Sequence, residues 1–219
     1  MANLVHSAEH VVLLHGLARS STSMNKMEQA LTAEGYIVHN LDYPSRSEAI
    51  EAIAHKLRPE IVSRTTDADR VHFVTHSMGG IIVREVQKTE AIQNIGRVVM
   101  LSPPNNGSEV VDRIGHLSPF KWLNGPAGQQ LGTDPDGFVQ HLGPVDFELA
   151  VITGDRSINW ILSTMIPGKD DGKVSLESAK VEGMSAYKVI HATHPFIMRN
   201  KEAIAATKAF LKSGSLTEK

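Results

Sequence analysis

The stretch Val71-His72-Phe73-Val74-Thr75-His76-Ser77-Met78-Gly79-Gly80-Ile81-Ile82 decides how this chain is built. An apolar, β-branched run enters a turn of small residues that carries one serine, and a helical pattern opens at once on two glycines. Five further short runs resemble the first half of this unit: Val11–His15, Tyr36–Leu41, Arg97–Leu101, Phe147–Thr153 and Tyr187–His191. Each, like Val71–Thr75, is too short for a buried helix, and the set reads as central parallel strands. Helical periodicity fills the gaps between them. Ser23–Glu34 puts Met24, Met27, Ala30 and Leu31 on one face, with Gly35 as a left-handed stop. Ser47–Arg64 aligns Ile50, Ile53, Ala54, Leu57 and Ile61, with a kink or break expected at Pro59. Asn200–Lys212 turns Ile204, Thr207, Phe210 and Leu211 inward and ends near Gly214. Strands alternating with helices predict an α/β protein with a mostly parallel sheet of about six strands, covered by helices on both faces.

Composition bounds the rest. At 219 residues and 41% apolar, the chain can bury a core without staples. Without cysteine, a disulfide scaffold, a thiolate zinc site and a cysteine nucleophile are all excluded. Lys plus Arg is 22 against 24 for Asp plus Glu, so no basic excess favours nucleic acid or an anionic membrane surface. No apolar run approaches the ~20 residues needed to span a bilayer, so stable membrane insertion is not expected. The first ten residues lack a basic cluster followed by an apolar run, so no secretory leader is expected. No repeat or linker divides the sequence, and residues 1–219 are expected to form a single domain.

Two stretches break the rhythm. Pro103–Gly143 contains Pro104, Pro119, Pro126, Pro135 and repeated glycines without sustained periodicity, and reads as a loop-rich, cap-like insert. It holds Leu117, Phe120, Trp122 and Leu123. Ile158–Ile166 contains Trp160, Ile161, Leu162 and Met165 and is apolar almost all round. Both stretches read equally well as ordinary core or as walls of a pocket above the sheet.

The serine turn suggests chemistry. A tight strand-to-helix turn lifts a hydroxyl above the carboxyl ends of the strands, and small residues are needed because strand and helix nearly collide there. Ser77 is the only serine in the chain that begins a Ser-x-Gly triplet, although Thr75 stands where the pattern has its first glycine. The first strand ends in His15-Gly16-Leu17. Amides of Leu17 and of Met78, the residue after the nucleophile, are the expected oxyanion donors. His15 is expected to brace that loop. A serine nucleophile needs a base of near-neutral pKa and an acid to hold the base's tautomer. His194 lies in a loop beyond the last strand, whereas His191 still belongs to that strand's end, which favours His194 as base. For the acid, Asp155 directly follows its strand, while Asp170 and Asp171 lie in a glycine-flanked turn, and position alone does not choose among them.

Taken together, Leu14-His15-Gly16-Leu17, Leu41-Asp42-Tyr43-Pro44-Ser45, His76-Ser77-Met78-Gly79, Asp171-Gly172-x-Val174 and His194 resemble small α/β-hydrolases of the bacterial lipase and esterase group. The resemblance spans nearly the whole chain and implies the α/β-hydrolase fold and a Ser77–Asp171–His194 triad. The choice of Asp171 over Asp155 comes from this resemblance, since similar lipases carry the acid in an Asp-Gly-x-Val segment. The expected reaction is hydrolysis of carboxylic esters of small-molecule size, with short to medium acyl chains and no marked interfacial activation. Phe120, Trp122, Leu123, Trp160 and Ile161 are expected to line the acyl pocket. A lipase, thioesterase or amidase with the same triad is the alternative, and a non-catalytic binder on this fold is a more remote one. Some similar proteins carry structural calcium, but Asp170-Asp171-Gly172 lacks the later ligands of a calcium loop. His191-x-x-His194 is too sparse for zinc. No metal and no cofactor are expected.

Overall fold

A computed structural model describes residues 9–157, 166 and 168–217. Six parallel strands form the sheet: β1 (Glu9–Leu14), β2 (Ile37–Leu41), β3 (Arg70–His76), β4 (Ile95–Leu101), β5 (Leu149–Gly154) and β6 (Ala186–Ile190), in the order β2-β1-β3-β4-β5-β6. The chain starts inside the sheet, moves to one edge, then returns across β1 to build the other half. β3 therefore lies near the middle, and its carboxyl end is flanked by those of β1 and β4.

Period-two alternation sorts side chains to the two faces. Val12, Leu14 and Phe73 pack with Ile53, Leu57 and Ile81 from α2 (Ile50–Arg64) and α3 (Met78–Glu90). Val11, Leu13, Val74 and Val99 face the other way, against Met24, Met27 and Leu31 at α1 (Asn25–Thr32) and against the C-terminal helix. Full burial of each such side chain stabilises the fold by roughly 1.5–3 kcal/mol relative to leaving it in water. The C-terminal helix, Lys201–Ser213, is capped at both ends. The Asn200 side chain accepts from the amides of Glu202 and Ala203, and Gly214 supplies the left-handed stop at φ 74°.

The structure corrects three readings of the sequence. β2 and β6 are edge strands, with Ile37 and Val189 exposed, because only the middle strands have helices over both faces along their length. α2 runs on through Pro59. The carbonyl that proline leaves without a donor, that of His55, lies on the exposed side of the helix, where water can satisfy it. The segment between β4 and β5 contains three short helices, α4 (Glu109–Ile114), α5 (Ser118–Gln129) and α6 (Phe138–His141). They escaped detection because two of them are under two turns long and α5 is broken at Gly125, whose φ is 63°. A Cβ at Gly125 would lie 1.6 Å from the Arg46 carbonyl oxygen, so only glycine lets this segment meet the loop before α2. We number the C-terminal helix α7.

Candidate active site

Ser77 stands between β3 and α3 with φ 51° and ψ −122°, a conformation that costs a non-glycine residue about 1–3 kcal/mol. The turn is held by the Ser77 amide, which donates to Leu101 O at 2.9 Å. It is tight enough to require the glycines around it. A Cβ at Gly79 would lie 2.6 Å from Leu14 O, and one at Gly80 would lie 2.9 Å from Met100 Sδ and 3.3 Å from Thr75 Oγ1. Gly80 thus makes the room that lets threonine replace the usual glycine at position 75.

The loop after β6 brings His194 over this turn. His194 Nε2 lies 3.0 Å from Ser77 Oγ, and His194 Nδ1 lies 2.8 Å from Asp171 Oδ2. A carboxylate can only accept, so Nδ1 carries the proton and Nε2 of the neutral ring is left to accept from the serine hydroxyl. Asp171 is fully buried, and its other oxygen accepts from the amides of Lys173 and Val174 at 3.1 and 3.0 Å. Burial by itself raises the carboxyl pKa. The charge and hydrogen bond of His194, with the Val174 amide, outweigh it and hold the pKa below the usual range. Asp170 faces elsewhere: its carboxylate accepts from the Gly172 amide at 2.7 Å and shapes the turn at Gly172, φ 103°.

The rival acid and base find each other. His191 Nδ1 lies 3.0 Å from Asp155 Oδ1, with the His191 side chain 73% exposed. Gly154, just before Asp155, is what admits the Asp171 loop, because a Cβ there would lie 2.2 Å from Ala192 O and 3.1 Å from Asp171 Cβ.

His76 carries no signal of its own in the sequence, yet it supports the backbone of His194. Its Nε2 lies 3.0 Å from the backbone oxygen of His194. A carbonyl cannot donate, so Nε2 carries the proton. Burial first, and the neighbouring His194 second, push the His76 pKa well below its ordinary value, so the ring is neutral. On its far side, Nδ1 lies where a Gly16 Cβ would approach to 2.7 Å. His15 braces the same loop: its Nδ1 donates to Gly16 O at 2.8 Å, and its ring stacks on Tyr43 at 4.0 Å between centroids. The Tyr43 hydroxyl donates to His15 O, and Ser45 Oγ accepts from the Ala18 amide at 3.1 Å. Thus the segment after β2 holds the loop that carries Leu17. Met78 occupies the first helical position of α3, where an amide has no intrahelical acceptor.

A cavity of about 220 Å³ opens over Ser77 and His194. Leu17, Val110, Val111, Phe120, Leu131 and Val174 give it an apolar wall. Of the expected pocket residues, Phe120 lines it. Trp122 and Leu123 do not: they are 80% and 48% exposed, because Phe120 and Asn124 take the inward face of α5 at i, i+4 spacing and leave the intervening residues outside. The Arg46 guanidinium lies 5.9 Å from the Trp122 ring centre. Trp160 and Ile161 lie outside the described residues. No cluster of three or more His, Asp or Glu suited to a metal occurs among the described residues. Nor is any described helix long and apolar enough to cross a membrane.

The family model described as "Alpha/beta hydrolase family" matches residues 11–206, from the first strand to the last helix. The chain belongs to the α/β-hydrolase family. Among solved structures, this hydrolase is similar to the mature form of Bacillus licheniformis lipase BlEst2. That pair shares 19% identity over 96% of this chain and 93% of the lipase, with a TM-score of 0.70. It is also similar to phospholipase PlaB from Legionella pneumophila, at 16% identity and TM-score 0.71, over 91% of this chain and 57% of the phospholipase. A lipase-esterase related protein from Clostridium acetobutylicum gives 16% identity and TM-score 0.59, over 94% and 95% of the two chains. At such identities these likenesses establish the fold. No curated protein matches this hydrolase in sequence.

Proposed function

We propose that this hydrolase cleaves carboxylic esters with short to medium acyl chains through an acyl-enzyme on Ser77. The observation that carries the reading is the buried relay Ser77 Oγ–His194 Nε2, His194 Nδ1–Asp171 Oδ2, at 3.0 and 2.8 Å, on the floor of an apolar cavity. Ser77 Oγ attacks the ester carbonyl as His194 Nε2 takes its proton, and Asp171 stabilises the imidazolium that results. The Leu17 and Met78 amides are the donors proposed for the tetrahedral oxyanion. His194 then returns the proton to the departing alkoxide, and in the second half-reaction it activates the water that releases the acid. The triad specifies acyl transfer, whichever group leaves. The apolar wall is what favours an ester with a hydrocarbon acyl chain over a polar amide. In this reading residues 103–143 form a cap on a single hydrolase domain, supplying Phe120 and Leu131 to the cavity.

The test is labelling by a fluorophosphonate probe together with a hydrolysis profile over 4-nitrophenyl esters of increasing acyl length. Labelling and turnover by the parent protein, both lost in a folded Ser77→Ala variant, are expected. A protein that neither labels nor turns over any ester would be a binder on a hydrolase fold.

A further inference from the structure

The charge around the cavity is one-sided. Among the described residues that line it, the Lys and Arg side chains are Arg19 and Lys173, and no Asp or Glu is among them. The chain as a whole carries a net charge of −2, so this sign does not follow from composition. Both residues are placed by the loops that build the relay. The Arg19 guanidinium donates to Pro195 O at 3.3 Å, one residue beyond His194, and the Lys173 amide donates to Asp171. Neither side chain has a carboxylate within ion-pair distance among the described residues, although seven Lys or Arg side chains elsewhere do. The nearest acid, Asp171, is already engaged by His194 and two amides. Packing around Lys173 and then the charge of Arg19 push its ammonium pKa down, against the opposing pull of the Asp171 charge. Arg19 and Lys173 are both exposed, so water solvates them in the free protein, and an anion entering the apolar cavity would meet two cations and no carboxylate on its lining.

We propose that Arg19 and Lys173 form an anion subsite, and that the preferred substrate is an ester carrying a carboxylate or phosphate group beside its hydrocarbon chain. The proposal rests on the ester-hydrolase reading. It deepens that reading by assigning a substrate class: the chain enters the cavity along Phe120 and Leu131, the carbonyl meets Ser77, and the anion stays at the mouth between the two cations. A guanidinium can grip either anion with two parallel hydrogen bonds, and the ammonium adds a third donor from the opposite loop.

Two matched pairs of esters test it and distinguish where the anion sits. On the acyl side, 4-nitrophenyl hydrogen adipate is compared with 4-nitrophenyl hexanoate. On the alcohol side, hexanoyl glycerol phosphate is compared with hexanoyl glycerol. In one pair at least, kcat/KM for the anionic member should exceed that of its neutral partner about tenfold or more. The ratio should fall towards one in Arg19→Gln, Lys173→Gln and their double variant, and should shrink as salt is raised through 0.5 M. Preference for the neutral ester in both pairs overturns the proposal. So does a ratio that the double variant leaves unchanged, or one that stays constant because both esters slow equally, which would mark a general electrostatic role. Turnover of neutral esters without anion preference sinks this inference alone and leaves ester hydrolysis standing. If no ester is turned over, binding still decides: Ser77→Ala should be raised in Tm by hexyl phosphate but not by hexanol, and an equal or absent response refutes the subsite.

Discussion

Two Asp–His pairs lie at the carboxyl ends of β5 and β6, alike in geometry and different in burial. In both, an imidazole Nδ1 sits at about the same distance from a carboxylate, 2.8 Å for Asp171–His194 and 3.0 Å for Asp155–His191. The first pair is buried, one oxygen of its carboxylate accepts from two backbone amides, and its second imidazole nitrogen meets a strained serine. In the second pair the imidazole is 73% exposed. An isolated pair in water is worth little and orients nothing, whereas the same pair in a dry site fixes a tautomer and stabilises a developing charge. Hydrogen-bond distance alone therefore does not distinguish the two pairs; burial and the partner of the free nitrogen do, and they are why Asp171–His194 is the dyad we propose.

The sharpest way to break this comparison is to exchange the burdens of the two histidines. His194→Ala, like Ser77→Ala, is expected to lower ester turnover by about a thousandfold or more, because removing one member of a nucleophilic relay disables it as a unit. His191→Ala is expected to stay within about threefold of the parent. The measurement is kcat on purified variants whose melting curves confirm folding. A reversed ranking would transfer the base to the exposed pair.

The acids follow at the next level. Asp171→Asn keeps the shape but supplies a donor where an acceptor is needed, so His194 is driven to the wrong tautomer. Loss of about a thousandfold in turnover is expected. Asp155→Asn should alter turnover by less than about threefold. Kinetics of both folded variants, on one ester, decide between the carboxylates.

Sequence alone could not separate these acids, and the reason is physical. Ser77 was legible because an apolar run, small residues and a helical period meet within a dozen positions, and that change of period is local. Whether the turn at Asp171 folds back over β5 depends on Gly154, seventeen residues earlier, where the absent side chain leaves space for Ala192 and Asp171. Nothing near Asp171 records that distant gap; only the family resemblance pointed to it. The strands and long helices were legible in the same local way as Ser77, to within a few residues at their ends. The helices between β4 and β5 were not, since prolines and glycines interrupt them before a period can build. His76 was hidden differently: it reads as one more strand residue, and only the neighbouring loop shows that its proton supports the backbone of His194. Arg19 and Lys173 look like ordinary surface charges until both are seen to line one cavity without a carboxylate.

Gly154 offers a smaller effect that acts on one pair through the backbone. In Gly154→Ala the new methyl would meet the Ala192 carbonyl and press on Asp171, so one loop must move. Overpacking of this kind costs about 1–3 kcal/mol of stability. A displacement of the acid by a fraction of an ångström should lower kcat by about ten- to a hundredfold. Denaturant unfolding and kcat are measured together. A stable variant with parental kcat would mean that the Asp171 loop has slack, and the buried pair would then owe less to exact placement than argued above.

The smallest expected effect is on stability against pH, and it reports on the buried imidazole that lies beside the first pair. His76 is kept neutral in the fold by burial and by its place beside His194, so its pKa in the folded state lies below its value in the unfolded chain. For such a group the sign is fixed. Above the unfolded value of about 6.5 both states are neutral and its full contribution is present; as pH falls below that value the unfolded chain takes up a proton the folded one refuses, and stability drops until the folded pKa is reached. One proton gives a slope of at most about 1.4 kcal/mol per pH unit. His15 and His72 are shifted in the same direction by burial and add to the decline, so the parent should lose stability steadily between pH 6.5 and 5. In His76→Gln the amide can still donate to His194 O but cannot titrate. Its stability should therefore fall less steeply over that window, even if it starts lower at pH 8. Urea unfolding at four or five pH values on the two proteins measures this. Equal slopes for His76→Gln and the parent would mean that His76 is free to charge in the fold, Nδ1 taking up the proton while Nε2 still donates to His194 O.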